Sequence, residues 1–311
     1  MIDRVLELAE RGRGTTAPNP VVGAVVVRNG QVVGEGWHER KGGPHAEVVA
    51  LEAAGRLARG STLYVTMEPC AHHGSTPPCT EAVLEAGVAK VVAGSLDPNP
   101  DAGGGLELLR EAGVEVEHTN SFAAREQNAA WRVWIARKRP FVILKLAVTL
   151  DGRVAVPGSR WISGEASRRR VHELRARVDA VAVGMGTVHA DDPQLTARDV
   201  GAADQPRRLA FGRGPLPDAS ELELRDGPLA DELRALGEDG VQSLLLEGGP
   251  RLAQAFLQAD LVDQVLLFVA ARLGGDGPLF APELEAPIEL RRLRAERIGG
   301  DLLLSAYVHE P

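Results

Sequence analysis

A length of 311 residues predicts two domains at roughly 150 residues each, and 44% hydrophobic with 25% charged content excludes a disordered or fibrous chain. A net charge of -8 and 4% aromatic residues give no global pull on phosphate backbones and few platforms for stacking bases, so nucleic acid is not an expected partner. No stretch approaches the roughly 18 apolar residues of a membrane span, which predicts a soluble, cytoplasmic protein with no membrane partner. At the start, Ile2, Val5, Leu6 and Ala9 recur at helical spacing between charges, predicting a helix near Ile2 to Arg11 and not the unbroken apolar run of a signal peptide. Val21 to Val27 reads as a strand, Asn29-Gly30 as a type I′ hairpin turn, and Gln31 to Trp37 as the returning strand. HAEVVALEAAGRLA is a helix by its Ala, Leu and Glu content and LYVTM a strand; after a loop containing Pro, Gly and Cys, a helix runs through Glu81 to Ala86. Val88 to Gly94 and Val114 to Val116 read as strands, and Leu106 to Glu111 and Phe122 to Arg137 as helices.

ARKRP, ending at Pro140, joins a charge run to a helix breaker, and FVILKLAVTLDG begins a new apolar strand directly after it. The expected domains are therefore 1–138 and 139–311. The second repeats the α/β alternation: a helix around Ser167 to Arg177, strands DAVAVG and SLLLEGG, a helix from Leu252 to Gln258, a strand from Val265 to Ala270, and LLLSAYV near the end. Gly212 to Pro228, rich in Gly, Pro and Asp, reads as a loop.

The chain's two cysteines, Cys70 and Cys79, are too few for a disulfide framework, though a single bridge is open to them. They frame the loop CAHHGSTPPC, while His45-Ala46-Glu47 opens a predicted helix. One imidazole and two thiols are ligand types that zinc prefers, and three protein ligands leave a fourth tetrahedral position for water, whose pKa a bound zinc brings to about 7. Glu47, on the first helical turn, stands where it can carry a proton without ligating. A structural knuckle, a redox pair, or a closed site completed by His72 or His73 are alternative readings of the same residues. Catalysis is favoured by the joint occurrence of H-A-E at a helix start and P-C after a strand, the H-x-E…P-C-x-x-C pattern of zinc deaminases, although eight residues separate the cysteines here.

TTAPNPVVGAVVV, GEGWHERKGGPHAEV, YVTMEPCAHHGSTPPCTEA and SLDPNP resemble, in order, the deaminase half of the bifunctional deaminase/reductase family of riboflavin biosynthesis. KLAVTLDGRVA, GSRWISG, RRVHELRARVDAVAVGMGTVHADDPQLTAR and LLLEGGPRLAQAFL resemble its reductase half. The resemblance implies an α/β fold: a cytidine-deaminase-like three-layer α/β/α domain followed by a dihydrofolate-reductase-like α/β domain. It implies one zinc per chain on His45, Cys70 and Cys79, with Glu47 as the proton shuttle. The substrate implied is a small pyrimidine ribotide, 2,5-diamino-6-(5-phosphoribosylamino)pyrimidin-4(3H)-one, deaminated and then reduced from ribosyl to ribityl. Asn19, His72 and Asn99 are candidate contacts to it, although Asn19 between two prolines and Asn99 in DPNP read equally as turn formers.

For the second half, the resemblance implies NADPH at Ala147, Trp161, Thr187, Asp191 and the turn Gly249, Pro250, Arg251, Leu252, Ala253, Gln254 and Ala255. Substrate contacts are implied for Ser159, Arg175, Leu195, Arg198 and Glu247, the two arginines being suited to a ribose phosphate. Lys145 and Glu247, on or after apolar strands, read equally as the acid or counter-charge of reduction and as a buried structural ion pair. No G-x-G-x-x-G is present, and taken alone the glycines of LLLEGGP fit a tight turn as well as a phosphate site. Two departures stand out: Ser75 where many relatives carry a basic residue, and Gly212-Arg213 after Pro206 where relatives often have Asp-Ser, so that one cofactor contact is lost or re-made by Arg213. A homo-oligomer is expected by likeness only. The rival readings are a deaminase of tRNA or a free nucleobase, a deaminase with an impaired reductase half, and a non-catalytic zinc scaffold.

Overall fold

The computed structural model describes residues 1–74, 77–202, 204–280 and 284–311; Ser75 lies outside them. The chain divides into two compact units, Met1–Arg137 with Pro311, and Lys138–Glu310. Among the described residues no helix is long and apolar enough to cross a membrane.

The first unit runs α1 (Ile2–Glu10), β1 (Gly23–Arg28), β2 (Gln31–Trp37), α2 (Ala46–Ala54) with a 3-10 extension Gly55–Ala58, and β3 (Thr62–Val65). It continues with α3 (Cys79–Ala86), β4 (Lys90–Ala93), α4 (Gly105–Glu111), β5 (Glu115–His118), α5 (Phe122–Gln127) and α6 (Ala129–Arg137). The sheet order is β2-β1-β3-β4-β5, with β1 antiparallel to β2 and β3 and the last three strands parallel. Asn29 and Gly30 take φ of 51° and 78°, as the type I′ turn requires. The period-2 alternation of β1 sorts the layers: Ala24 and Val26 join a core with α2, α3 and α4, while Val25 faces Val5 and Leu8 of α1. The result is the expected three-layer α/β/α arrangement.

Helix α2 lies unusually close to β2 because two of the strand's residues lack side chains. A Cβ at Gly36 would fall 2.5 Å from the Ala46 carbonyl oxygen, and one at Gly34 would fall 2.2 Å from that of Ala50. The single helix expected over 122–137 is instead two, broken at Asn128 (φ -112°, ψ 24°). The buried Asn128 amide donates to Val21 O and accepts from Val21 N, both at 2.9 Å, so it serves the chain entering β1 rather than its own helix.

The second unit holds β6 (Phe141–Thr149), α7 (Glu165–Arg175), β7 (Ala180–Gly184), α8 (Met185–Asp191), β8 (Arg207–Phe211), β9 (Glu223–Arg225) and α9 (Leu229–Glu238). Then follow β10 (Ser243–Leu246), α10 (Pro250–Gln258), β11 (Gln264–Ala270), β12 (Arg291–Ile298) and β13 (Asp301–Tyr307). Its eight-stranded sheet has the order β12-β13-β11-β6-β10-β7-β8-β9, parallel from β11 to β9 and antiparallel at β13 and β12. Alternate residues of the parallel strands feed both faces: Leu144, Leu244 and Leu246 pack with Leu233 and Phe256 of α9 and α10, and Val181, Val183 and Leu245 pack on the other side. Helices α8 and α9 and strands β8 and β12 had no counterpart in the sequence reading, and β9 lies within the expected loop from Gly212 to Pro228. β12 escapes pattern reading because seven of its eight residues are exposed, leaving no apolar alternation.

Candidate active sites

In the first unit, His45 is the N-cap of α2 and Cys79 the first residue of α3, two residues before the expected helix start. Cys70 follows β3, and its Sγ accepts from the Cys79 backbone N at 3.4 Å. His45 Nδ1 lies 3.1 Å from Cys79 Sγ and 3.6 Å from Cys70 Sγ, and the three ligand atoms all lie within 4.8 Å of one another. Ligands of one tetrahedral zinc, at about 2.0 Å for nitrogen and about 2.3 Å for sulfur, are separated by roughly 3.5–3.8 Å, so this donor set fits the ion. Both cysteines are buried and free, so the single bridge left open by the sequence is not formed. His73 is exposed and pairs with Glu81 at 3.2 Å, and neither it nor His72 joins the metal-capable group among the described residues.

The electrostatics suit thiolate ligation. A hydrogen bond from the Cys79 thiol, with help from His45 and the Cys79 N–H, draws Cys70 down to about 4. The same bond and burial push Cys79 up. The two sulfurs thus share one proton that a bound dication replaces. Glu47 is 3% exposed on the first turn of α2, and burial pushes its carboxyl up to about 7 against the pull of His45. These groups open on a cavity of about 310 Å³ lined also by Asn19, His38, Glu68, His72, Asp97, Asn99, Trp131 and Trp134. The structure therefore brings Asn19, His72 and Asn99 to the site with Glu47.

Five of these lining residues escaped the sequence reading: His38, Glu68, Asp97, Trp131 and Trp134. Glu68, directly before Pro69-Cys70, accepts from Leu106 N at 3.0 Å and Asp97 N at 3.2 Å, tying the start of α4 and the Asp97 loop to the segment that carries Cys70. Its signal was an acidic residue next to the P-C pair. Trp131 and Trp134 arrive from α6, and His38 from the end of β2, with no local signal of a site.

In the second unit, Glu247 follows β10 and accepts from Arg175 at 2.6 and 3.0 Å and from Lys145 Nζ at 3.4 Å. Burial opposes the charge on Glu247, but Lys145 and Arg175 outweigh it and hold the carboxyl below its usual range. The Arg175 guanidinium, which also donates to Thr196 O at 3.1 Å, is thus held in a part-buried ion pair, with two of its five N–H donors left over by these bonds. Arg198 is exposed, its side chain meeting Gln194 at 3.4 Å. Thr187 on α8 sits beside Gly249, the N-cap of α10, where a Cβ would meet Thr187 Oγ1 at 3.8 Å. Asp191 ends α8 and is exposed. The first turn of α10 thus presents open backbone amides at the carboxyl edge of the parallel strands, a fit for a dinucleotide phosphate.

Ser159 donates to Trp161 O at 2.9 Å, and the ring of Trp161, 52% exposed, has the Arg160 and Arg168 guanidinium groups 5.0 and 5.1 Å from its centroid. Leu195 and Ala253 bury their side chains in core clusters, so contacts from them are restricted to backbone. Gly212 has φ 129° and a Cβ there would crowd Met185 at 3.0 Å, while Arg213 is exposed.

A zinc deaminase unit joined to a reductase unit is the class this pair of folds defines. Residues 1–95 match the model of the cytidine and deoxycytidylate deaminase zinc-binding region, and residues 140–304 match that of the RibD C-terminal domain. The riboflavin biosynthesis protein RibD of Aquifex aeolicus is 40% identical over 96% of this chain and 95% of its own, and that of Mycobacterium tuberculosis 43% over 96% and 94%. A solved RibD of Acinetobacter baumannii superposes with a TM-score of 0.83 at 37% identity, covering 98% of this chain and 97% of its own. A diaminohydroxyphosphoribosylaminopyrimidine deaminase/5-amino-6-(5-phosphoribosylamino)uracil reductase from Thermotoga maritima superposes equally well at 36% identity. The chain belongs to the RibD family: it is a bifunctional deaminase and reductase of riboflavin biosynthesis, with zinc and NADPH as cofactors.

Proposed function

We propose that the first domain, 1–138, deaminates 2,5-diamino-6-(5-phosphoribosylamino)pyrimidin-4(3H)-one to 5-amino-6-(5-phosphoribosylamino)uracil, and that the second, 139–311, reduces its ribosyl group to ribityl. The observation that carries this is the convergence of His45, Cys70 and Cys79 with the buried Glu47 on one cavity. Zinc, which those three side chains would hold, would supply the Lewis acidity that makes a water nucleophilic near neutral pH. Glu47, poised between its two protonation states, carries one proton of the attacking water to the ring nitrogen and then the remaining hydroxyl proton to the departing amine, so the C–N bond breaks, ammonia leaves, and the ring gains a carbonyl and an N–H. Asn19, His72 and Asn99 hold the heterocycle and ribose phosphate.

In the second domain, bound NADPH would supply the hydride needed to reduce C1 of the opened ribosylamino group. Thr187, Asp191, Ala147, Trp161 and the turn from Gly249 to Ala255 hold it, while Ser159, Arg198, and the backbone at Leu195 hold the substrate. Lys145, ion-paired with Glu247, serves the reduction as acid or counter-charge, and Arg175 completes that buried triad. The chain acts in the cytoplasm, without nucleic acid, and assembles as a homo-oligomer.

The test is the zinc-loaded protein with the diaminopyrimidine ribotide, following ammonia release and then NADPH oxidation. Both should appear in that order; ammonia without oxidation identifies an impaired reductase half. His45→Ala and Cys79→Ser should lose zinc by metal analysis, and unchanged zinc in both disproves the ligand set.

A further inference from the structure

Hydrogen-bond accounting around the cavity, on the deaminase reading just given, assigns a role to a residue outside the metal set. His38 is 3% exposed; its Nδ1 lies 3.0 Å from the Pro44 carbonyl oxygen and its Nε2 3.4 Å from Asn19 Nδ2. A carbonyl only accepts, so Nδ1 carries the proton, and Nε2 of the neutral ring is then an acceptor alone. Asn19 must therefore turn its NH2 to His38. That leaves its Oδ1, which meets no donor among the described residues, as the atom offered to the cavity both residues line.

Asn99 is set the other way. Its Oδ1 accepts from Asp101 N at 3.2 Å in an Asx turn, leaving Nδ2 without an acceptor among the described residues. The cavity thus carries an acceptor at Asn19 and a donor at Asn99, not two interchangeable amides.

We infer that His38 is a positioning residue: by fixing the Asn19 amide it makes the cavity select a ring that presents N–H to Asn19 and a carbonyl to Asn99, the edge of a lactam. A cytosine-type edge has a bare ring nitrogen next to an amino group and would set acceptor against acceptor and donor against donor. Such mispairing leaves buried polar groups without partners, which discriminates far more strongly than shape.

Zinc-loaded wild type, His38→Leu and His38→Gln are compared by steady-state ammonia release and by calorimetric binding of the deaminated product. A glutamine amide can offer NH2 to Pro44 and its oxygen to Asn19, whereas leucine offers neither. His38→Leu should raise KM and the product Kd by about tenfold or more, with kcat within about threefold and zinc content unchanged. His38→Gln should bring both constants back to within about threefold of wild type. Equal behaviour of the two variants, or a loss confined to kcat or to zinc content, overturns the role. Absence of ammonia release from wild type would instead sink the deaminase reading. Product binding weakened in the leucine variant and restored by glutamine would still support the role of His38.

Discussion

A carboxyl almost wholly removed from water beside an imidazole and two sulfurs is at an energetic disadvantage when charged, and Glu47 responds by holding its proton up to about pH 7. That midpoint lets one side chain work as both base and acid within a turnover. Glu47→Gln keeps the shape and removes the proton transfer, so ammonia release should fall by about 10²–10⁴-fold while metal analysis still finds zinc. Asp263 shows the opposite balance. It is fully buried and accepts from Arg139 at 2.6 and 2.9 Å and from Val142 N at 2.8 Å. Burial disfavours its charge, yet His309, Arg139 and the Val142 N–H outweigh burial and hold the carboxyl below its usual range. Because the folded value is depressed, its stabilisation is fully present above the unfolded value near 3.9 and is lost as pH falls through the folded one. Asp263→Asn leaves Arg139 buried without its counter-charge and should cost about 3–5 kcal/mol of reductase-unit stability in urea titrations at pH 7. The difference from wild type should shrink toward pH 3.

At the scale of elements, the placing of His45 and Glu47 depends on how closely α2 rests on β2, and that closeness depends on Gly34 and Gly36. Gly36→Ala puts a methyl 2.5 Å from the Ala46 carbonyl oxygen, which must move the helix start and the metal-binding end with it. A displacement near 1 Å at a reacting centre is worth about 10²-fold in rate, so ammonia release should drop by that order while reduction of already deaminated substrate is untouched. The hairpin, α2 and the apolar strands were legible because period and turn chemistry are local signals. The metal set was legible because its residue types are rare in this chain. What stayed hidden was tertiary. Asn128 breaks a helix on behalf of a strand more than 100 residues earlier in the chain, as Val21 and Asn128 bond across |i−j| of 107. Arg175 read as a contact to a ribose phosphate, and its pairing with Glu247 after β10 was not visible in the sequence. His38 and the α6 tryptophans enter the cavity from segments with no motif of their own.

For the whole molecule, each unit has its own core and its own constellation of candidate residues, so the two activities should respond separately to metal removal. Chelation of zinc should abolish ammonia release, yet leave NADPH oxidation intact when 5-amino-6-(5-phosphoribosylamino)uracil is supplied directly; loss of both would show that the metal supports more than the first unit. Among the described residues the second unit's sheet ends on β12, whose outer backbone groups no described strand covers, and which carries Arg291, Arg292, Arg294 and Arg297. An open margin of this kind is a template on which other chains can nucleate fibrils, and positive charge spaced along it makes a neighbour of like sequence repel before it can zip on. Dispersal in a crowded cell is therefore written into the least patterned strand of the molecule.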